Sequence, residues 1–145
     1  MEKIVIVGST LAALEVEGHN NYSINVSGSN IEYIHISNGA IKNLELLCVE
    51  VDRLHISDTT VGEMKFNETE INSLYCEMSA IKSITVTGCI YEYIQFAFSG
   101  INNLLLKTTK CLLLEIYYSK MHNLSINSSE ISAIEICSEN HTLND

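Results

Sequence analysis

From Met1 the chain repeats every ten residues without insertion or deletion, and in all fourteen blocks the fourth and sixth places hold apolar residues or, once, Cys76. The fourth places run from Ile4, Leu14 and Ile24 through Met64 and Leu74 to Leu124 and Ile134. The sixth run from Ile6 and Val16 through Phe66 and Phe96 to Ile126 and Ile136. The first place is usually apolar (Leu11, Ile31, Val51, Ile71, Ile101) and the ninth mostly small (Ser9, Ser29, Gly39, Thr59, Ser79, Cys89). Places 4 and 6 are two apart, as are place 9 and place 1 of the next block, which is the spacing of residues on one face of a strand. The underlying inward period is therefore five residues. A helix is excluded, because the spacing does not follow 3.6 and the blocks favour Ile, Val, Thr, Tyr and Ser.

A fixed period over a whole chain marks a stacked-repeat architecture. Ten residues are too few to encircle a filled core, so two tens make the smallest coil. The sequence predicts an all-β, single-domain parallel β-solenoid of roughly seven coils of twenty residues, stacked about 4.8 Å apart into a rod on the order of 34 Å long. The solenoid is expected over residues 1–138, followed by a polar tail at 139–145. Each coil pairs with the next, which leaves open strand edges only at the two ends. With no capping helix or Pro-rich plug evident there, a homodimer or end-to-end oligomer is expected.

Five-residue units with an inward central residue and a smaller inward residue two before it resemble the pentapeptide-repeat proteins, over about residues 1 to 138. The resemblance implies a right-handed, four-sided β-helix with twenty residues per turn. Leu44, Leu54, Ile94 and Leu114 stand where that family prefers a small residue, so a wider or flatter coil is expected. The string Val51-Asp-Arg-Leu-His-Ile-Ser-Asp-Thr is also similar to the strand segment of leucine-rich repeats, although a ten-residue recurrence leaves no room for the convex half of such a repeat.

Sorting the outward places 3, 5 and 7 by block parity separates two faces. Odd blocks give short polar triplets such as Ser23-Asn25-Ser27 and Ser83-Thr85-Thr87. Even blocks carry Tyr33, His35, Arg53, His55, Tyr75, Glu77, Tyr93 and Tyr117, and six of the seven Tyr fall in these blocks. Aromatic residues and Arg are enriched at interface centres, since they bury large area at low entropic cost and keep a polar group available. These eight residues form the candidate partner-binding face.

Charge narrows the partner. Eighteen acids against eight Lys and Arg give a formal charge of −10, which disfavours direct contact with nucleic acid or an anionic membrane. A protein partner is expected, with a nucleic-acid-binding enzyme a natural one. The pentapeptide resemblance implies a sharper version: members of that family are acidic rods shaped like duplex DNA that act as modulators of a type II topoisomerase. The alternatives are a small inhibitor, immunity or counter-defence protein that binds one enzyme through the Tyr/His/Arg face, and a structural solenoid that self-assembles. No phosphate-loop, nucleophile-elbow, zincin or dinucleotide motif is present, and no enzymatic activity is expected. His35 and His55 fall one coil apart beside Tyr75 and Glu77, but a flat ladder spreads its side chains, so neither a metal nor a cofactor is expected. Five Cys without a CxxC pair read as small core residues of a protein of the cytoplasm, in keeping with an N-terminus that has neither signal-peptide nor membrane-span character. The ice-binding rank of Thr-x-Thr is confined to Thr85-Val-Thr87.

Overall fold

The computed structural model describes residues 2–18, 20 and 22–137; the expected tail at 139–145 lies outside them. Fourteen strands follow one another: β1 (Glu2–Val7), β2 (Thr10–Glu17), β3 (Tyr22–Ser27), β4 (Asn30–Ser37), β5 (Ala40–Leu47), β6 (Glu50–Ser57), β7 (Thr60–Asn67), β8 (Glu70–Glu77), β9 (Ala80–Thr87), β10 (Ile90–Ala97), β11 (Gly100–Lys107), β12 (Lys110–Tyr117), β13 (Lys120–Asn127) and β14 (Glu130–Cys137). The odd strands make one seven-stranded parallel sheet and the even strands a second, so the chain is a β-solenoid of about seven coils with two tens per coil. Paired residues lie twenty positions apart, as in Ile34↔Leu54 and Leu54↔Leu74, with one exception where Tyr22 meets Ile41.

The core lies between the two sheets, and the five-residue period explains its composition. Places 9, 1, 4 and 6 face inward, and the strand alternation slips by one residue twice in every ten: between places 1 and 4, and between places 6 and 9. At the first slip the ladder passes over place 2 in all but the two pairings made by β3. At the second the backbone turns through place 8, which has φ between 48° and 71° at all thirteen described corners. Gly occupies four of these corners at no steric cost, and Asn38 and Asp58 are the next most tolerant types. The remaining corners hold Cys48, Glu68, Met78, Phe98, Thr108, Tyr118 and Ser128 in the same left-handed conformation.

Those corners are held by backbone and hydroxyl together. The place-8 amide donates to the place-7 carbonyl of the next coil, as Asp58 does to Glu77 at 3.1 Å, and the place-10 amide donates to the place-9 carbonyl of the previous coil, as Ala80 does to Thr59 at 3.0 Å. The place-9 amide between them has no carbonyl to meet, and the small polar side chain of the next coil accepts it. Thr59 N–H donates to Ser79 Oγ at 3.2 Å, Ser79 N–H to Ser99 Oγ at 3.2 Å, and Thr69 N–H to the Cys89 thiol at 3.4 Å. Each hydroxyl in turn donates to the carbonyl two residues before it, as Ser99 does to Ala97 at 2.9 Å. Among the described residues, apart from Gly39 and Val49, place 9 is therefore small because it is crowded and polar because an amide is satisfied there. Three of the five cysteines, Cys76, Cys89 and Cys111, are buried in the core, Cys48 is exposed, and all five are free thiols.

Candidate functional site

The outward face of the even-strand sheet brings most of the predicted residues together. Parallel register places Tyr33 beside Arg53, His35 beside His55, and His55 beside Tyr75. Their rings form an unbroken ladder. Tyr33 and His35 centroids are 5.8 Å apart, His35 and His55 stack at 4.7 Å with planes 9° apart, His55 meets Tyr75 edge-on at 5.7 Å, and Tyr75 meets Tyr93 at 6.2 Å. The Arg53 guanidinium lies 5.5 Å from the centre of the Tyr33 ring, a cation–π contact that holds the long side chain against the face.

Polar contacts fix the ladder from below. His35 Nε2 lies 3.3 Å from Ser57 Oγ, and His55 Nε2 lies 3.1 Å from Glu77 Oε1, so each ring leans onto the coil above its own. Ser37, Ser57 and Ala97 at place 7 are buried, which differs from the expectation that place 7 points freely outward; they sit at the corner, roofed by the neighbouring side chains. Tyr93 donates its hydroxyl hydrogen to Glu115 Oε1 at 2.6 Å, and Gln95 Nε2 donates to the same oxygen. These bonds, Tyr93's first, hold the Glu115 carboxyl below the ordinary range, while desolvation and the same carboxylate push the Tyr93 phenol up. Arg53, His55, Ser73, Tyr75, Glu77 and Tyr93 line one shallow depression in the middle of the face.

One predicted association resolves differently. Tyr117 belongs to a separate cluster at the far corner, where it meets Tyr118 at 4.5 Å and Phe98 at 6.4 Å, while Phe98 stacks on Tyr118 at 5.4 Å. Tyr91, one of the six Tyr of the even blocks, is in the core at 1% exposure. Among the described residues no three His, Cys, Asp or Glu side chains converge as a metal site would require.

Sorting places 3, 5 and 7 overlooks a second feature of the even strands, at places 10 and 2. There Glu50 lies directly beside Glu70, and Glu32, Asp52 and Asn72 follow one another along the axis, with Asn72 Nδ2 bonded to Asp52 Oδ1 at 2.5 Å. Together with Asn30 these line an acidic groove beside the ring ladder. Counting charges at places 10 and 2 block by block would have found it. A count over all places exposes an asymmetry along the chain: residues 1–80 hold twelve acids against four Lys and Arg, whereas residues 81–145 hold six acids against four Lys. Compared with protein-family models, curated proteins and solved structures, the chain matches none.

Proposed function

We propose that this protein is a non-enzymatic binding module of the cytoplasm that docks one protein partner on the even-strand face. The observation that carries the reading is the continuous ladder Tyr33, His35, His55, Tyr75 and Tyr93, with Arg53 laid against its first ring and Glu77 tied to its centre. Rigid rings flanked by a guanidinium are the composition of an interface hot spot. The adjacent acidic groove calls for a partner with a basic surface around its point of contact, which is the character of nucleic-acid-binding enzymes. The test uses partner captured on the wild-type chain: Arg53→Glu with Tyr75→Ala should abolish its retention while leaving the circular dichroism unchanged, and full retention would overturn the assignment of the face.

One observation favours a more specific reading. The excess of eight acids over residues 1–80 is spread along four coils, about 19 Å, or roughly one net negative charge per 2.4 Å, against about 1.7 Å for duplex DNA. That density supports a DNA-like rod directed at a type II topoisomerase, as the pentapeptide-repeat resemblance implies. A supercoiling assay in which excess protein leaves topoisomerase activity unchanged would remove this reading without touching the ring-face proposal.

A further inference from the structure

One long edge of the rod is built against the preference of its own backbone. Its left-handed corners hold Gly18, Asn38 and Asp58 in the lower coils and then Met78, Phe98 and Tyr118, whereas the opposite edge carries no aromatic or large aliphatic residue at any described corner. Large side chains are disfavoured in this conformation. Met78 and Phe98 are 57% and 56% exposed, so neither is there for the core. The amides of Met78 and Phe98 donate to the Ala97 and Tyr117 carbonyls of the next coil, which stacks the three side chains into one ridge along the rod. A solvent-facing apolar ridge held in a costly backbone conformation marks a contact surface.

The surface beside the ridge specifies the occupant. Thr60, Ala80 and Gly100 lie in register next to it and floor a shallow trough, with Lys120 following Gly100 at the upper end. The first and third residues of β5, β7, β9, β11 and β13 include Lys42, Lys82, Lys120 and His122 and no acid. On the opposite edge the first and third residues of the even strands supply the acidic groove, so the two edges carry opposite charge. None of the three lysines is ion-paired among the described residues, while Glu63 and Glu77 are taken by Lys65 and His55, which leaves Asp58 at the foot of the ridge.

We propose that this edge binds an extended segment of a partner protein in which carboxylates alternate with aromatic or aliphatic side chains. Successive side chains of an extended chain point to opposite sides, and the chain rises about 3.3 Å per residue. Laid along the trough, such a segment turns its apolar residues onto Met78 and Phe98 and its carboxylates onto Lys82 and Lys120. The small floor residues let its backbone approach. Coils about 4.8 Å apart set Met78 and Tyr118 about 10 Å from each other, so about five residues cover the ridge and its margins. The contact lies apart from the ring ladder, and the segment it takes is opposite in charge to the surface that the acidic groove calls for.

The probe is the N-acetylated peptide amide Glu-Phe-Glu-Leu-Glu, titrated to about 5 mM into the isotope-labelled full chain and followed by amide NMR shifts. Saturable shifts should centre on Met78, Phe98 and Tyr118, with a Kd on the order of 0.5 mM. Phe98→Asn, which puts there the residue type of the Asn38 corner, should weaken binding about fivefold or more and leave the thermal unfolding midpoint unchanged or higher. Lys82→Glu with Lys120→Glu should weaken it by a similar factor, and Tyr75→Ala in the ring ladder should leave it unchanged. Equal binding of Lys-Phe-Lys-Leu-Lys, shifts confined to other surfaces, or no saturation would each overturn the inference. A clear fall in the Phe98→Asn midpoint would overturn it too, because the ridge would then serve the fold. Wild-type chain that stays in the supernatant after centrifugation with phosphatidylserine–phosphatidylcholine vesicles supports the inference; vesicle binding abolished by Phe98→Asn would give the edge to an anionic membrane and overturn it.

Discussion

Replacing Ser79 by Ala tests whether the place-9 hydroxyls hold the coils together or merely fit between them. Ser79 is 5% exposed, and its hydroxyl donates to the Glu77 carbonyl at 2.9 Å while accepting the Thr59 amide at 3.2 Å. The Glu77 carbonyl keeps a second partner in the amide of Asp58, at 3.1 Å. The Thr59 amide keeps none, and Thr59 is itself 2% exposed, so water does not replace the lost oxygen. An unsatisfied buried donor costs about 1–3 kcal/mol and the lost hydroxyl bond about 1 kcal/mol, so we expect destabilisation of about 2–3 kcal/mol. With a urea dependence near 2 kcal/mol per molar, the unfolding midpoint should fall by about 1 M. Ser129→Ala removes the same two bonds from the Thr109 corner, and since Thr109 is itself 1% exposed it should cost about 2–3 kcal/mol, much as Ser79→Ala does. Ser79→Thr keeps the hydroxyl and should be tolerated, because Thr59, Thr69 and Thr109 already occupy that place. Urea titration followed by circular dichroism and by tyrosine fluorescence, with coincident transitions, measures all three. A Ser79→Ala midpoint within error of wild type, or a Ser79→Thr loss as large as that of Ser79→Ala, would refute the satisfied-amide account.

Four further outcomes follow from the packing and the titrating groups. Gly62→Ala should destabilise by about 1–3 kcal/mol in the same assay, since a Cβ there would stand 2.6 Å from the Lys42 backbone carbonyl oxygen, which cannot swing aside. Tyr91→Phe should stabilise by about 1–2 kcal/mol, because the buried hydroxyl makes no well-formed hydrogen bond and has only weak thiol neighbours such as Cys89; a loss of stability would show that the thiol is a real partner. Glu115 should titrate by NMR below the usual value near 4.3, so that the stability it contributes is complete above about pH 5 and is lost as pH falls through its lowered native value; Tyr93→Phe should raise that value. Burial pushes the Cys76 and Cys89 thiols up and Cys111 up to about 11, so a thiol reagent at pH 8 should reach Cys48 and Cys137 in the folded protein and the other three only after denaturation, which a spectrophotometric count of released thiolate checks.

The architecture was legible because one constraint repeats fourteen times. Ile34, Leu54 and Leu74 are apolar for one reason, and their spacing of twenty is the coil itself. The ring ladder was legible for the same cause: parallel register carries a place in one even block onto the same place in the next, so His35 and His55 had to meet. What stayed hidden depends on conformation. Nothing in the side chains of Phe98 or Tyr118 announces a left-handed backbone, which is imposed by closure of the coil and overrides local preference. Tyr91 stands two residues before the outward Tyr93, yet place 1 faces the core whatever residue fills it. The acidic groove escaped because Glu50 and Glu70 flank an inward residue of the narrower side, away from the strand centres where the aromatics lie.

Alternation of the sheets by tens limits how such a chain can grow or shrink. Insertion of a whole coil leaves every downstream residue on its own side of the rod. Insertion of ten residues keeps each inward place inward, and so keeps a sound core, but it transfers every later strand to the opposite sheet. A ten-residue duplication between β6 and β8 would therefore fold while parting Arg53 and His55 from Tyr75 and Glu77. Repeat length alone would then separate variants that merely fold from variants that keep their binding face.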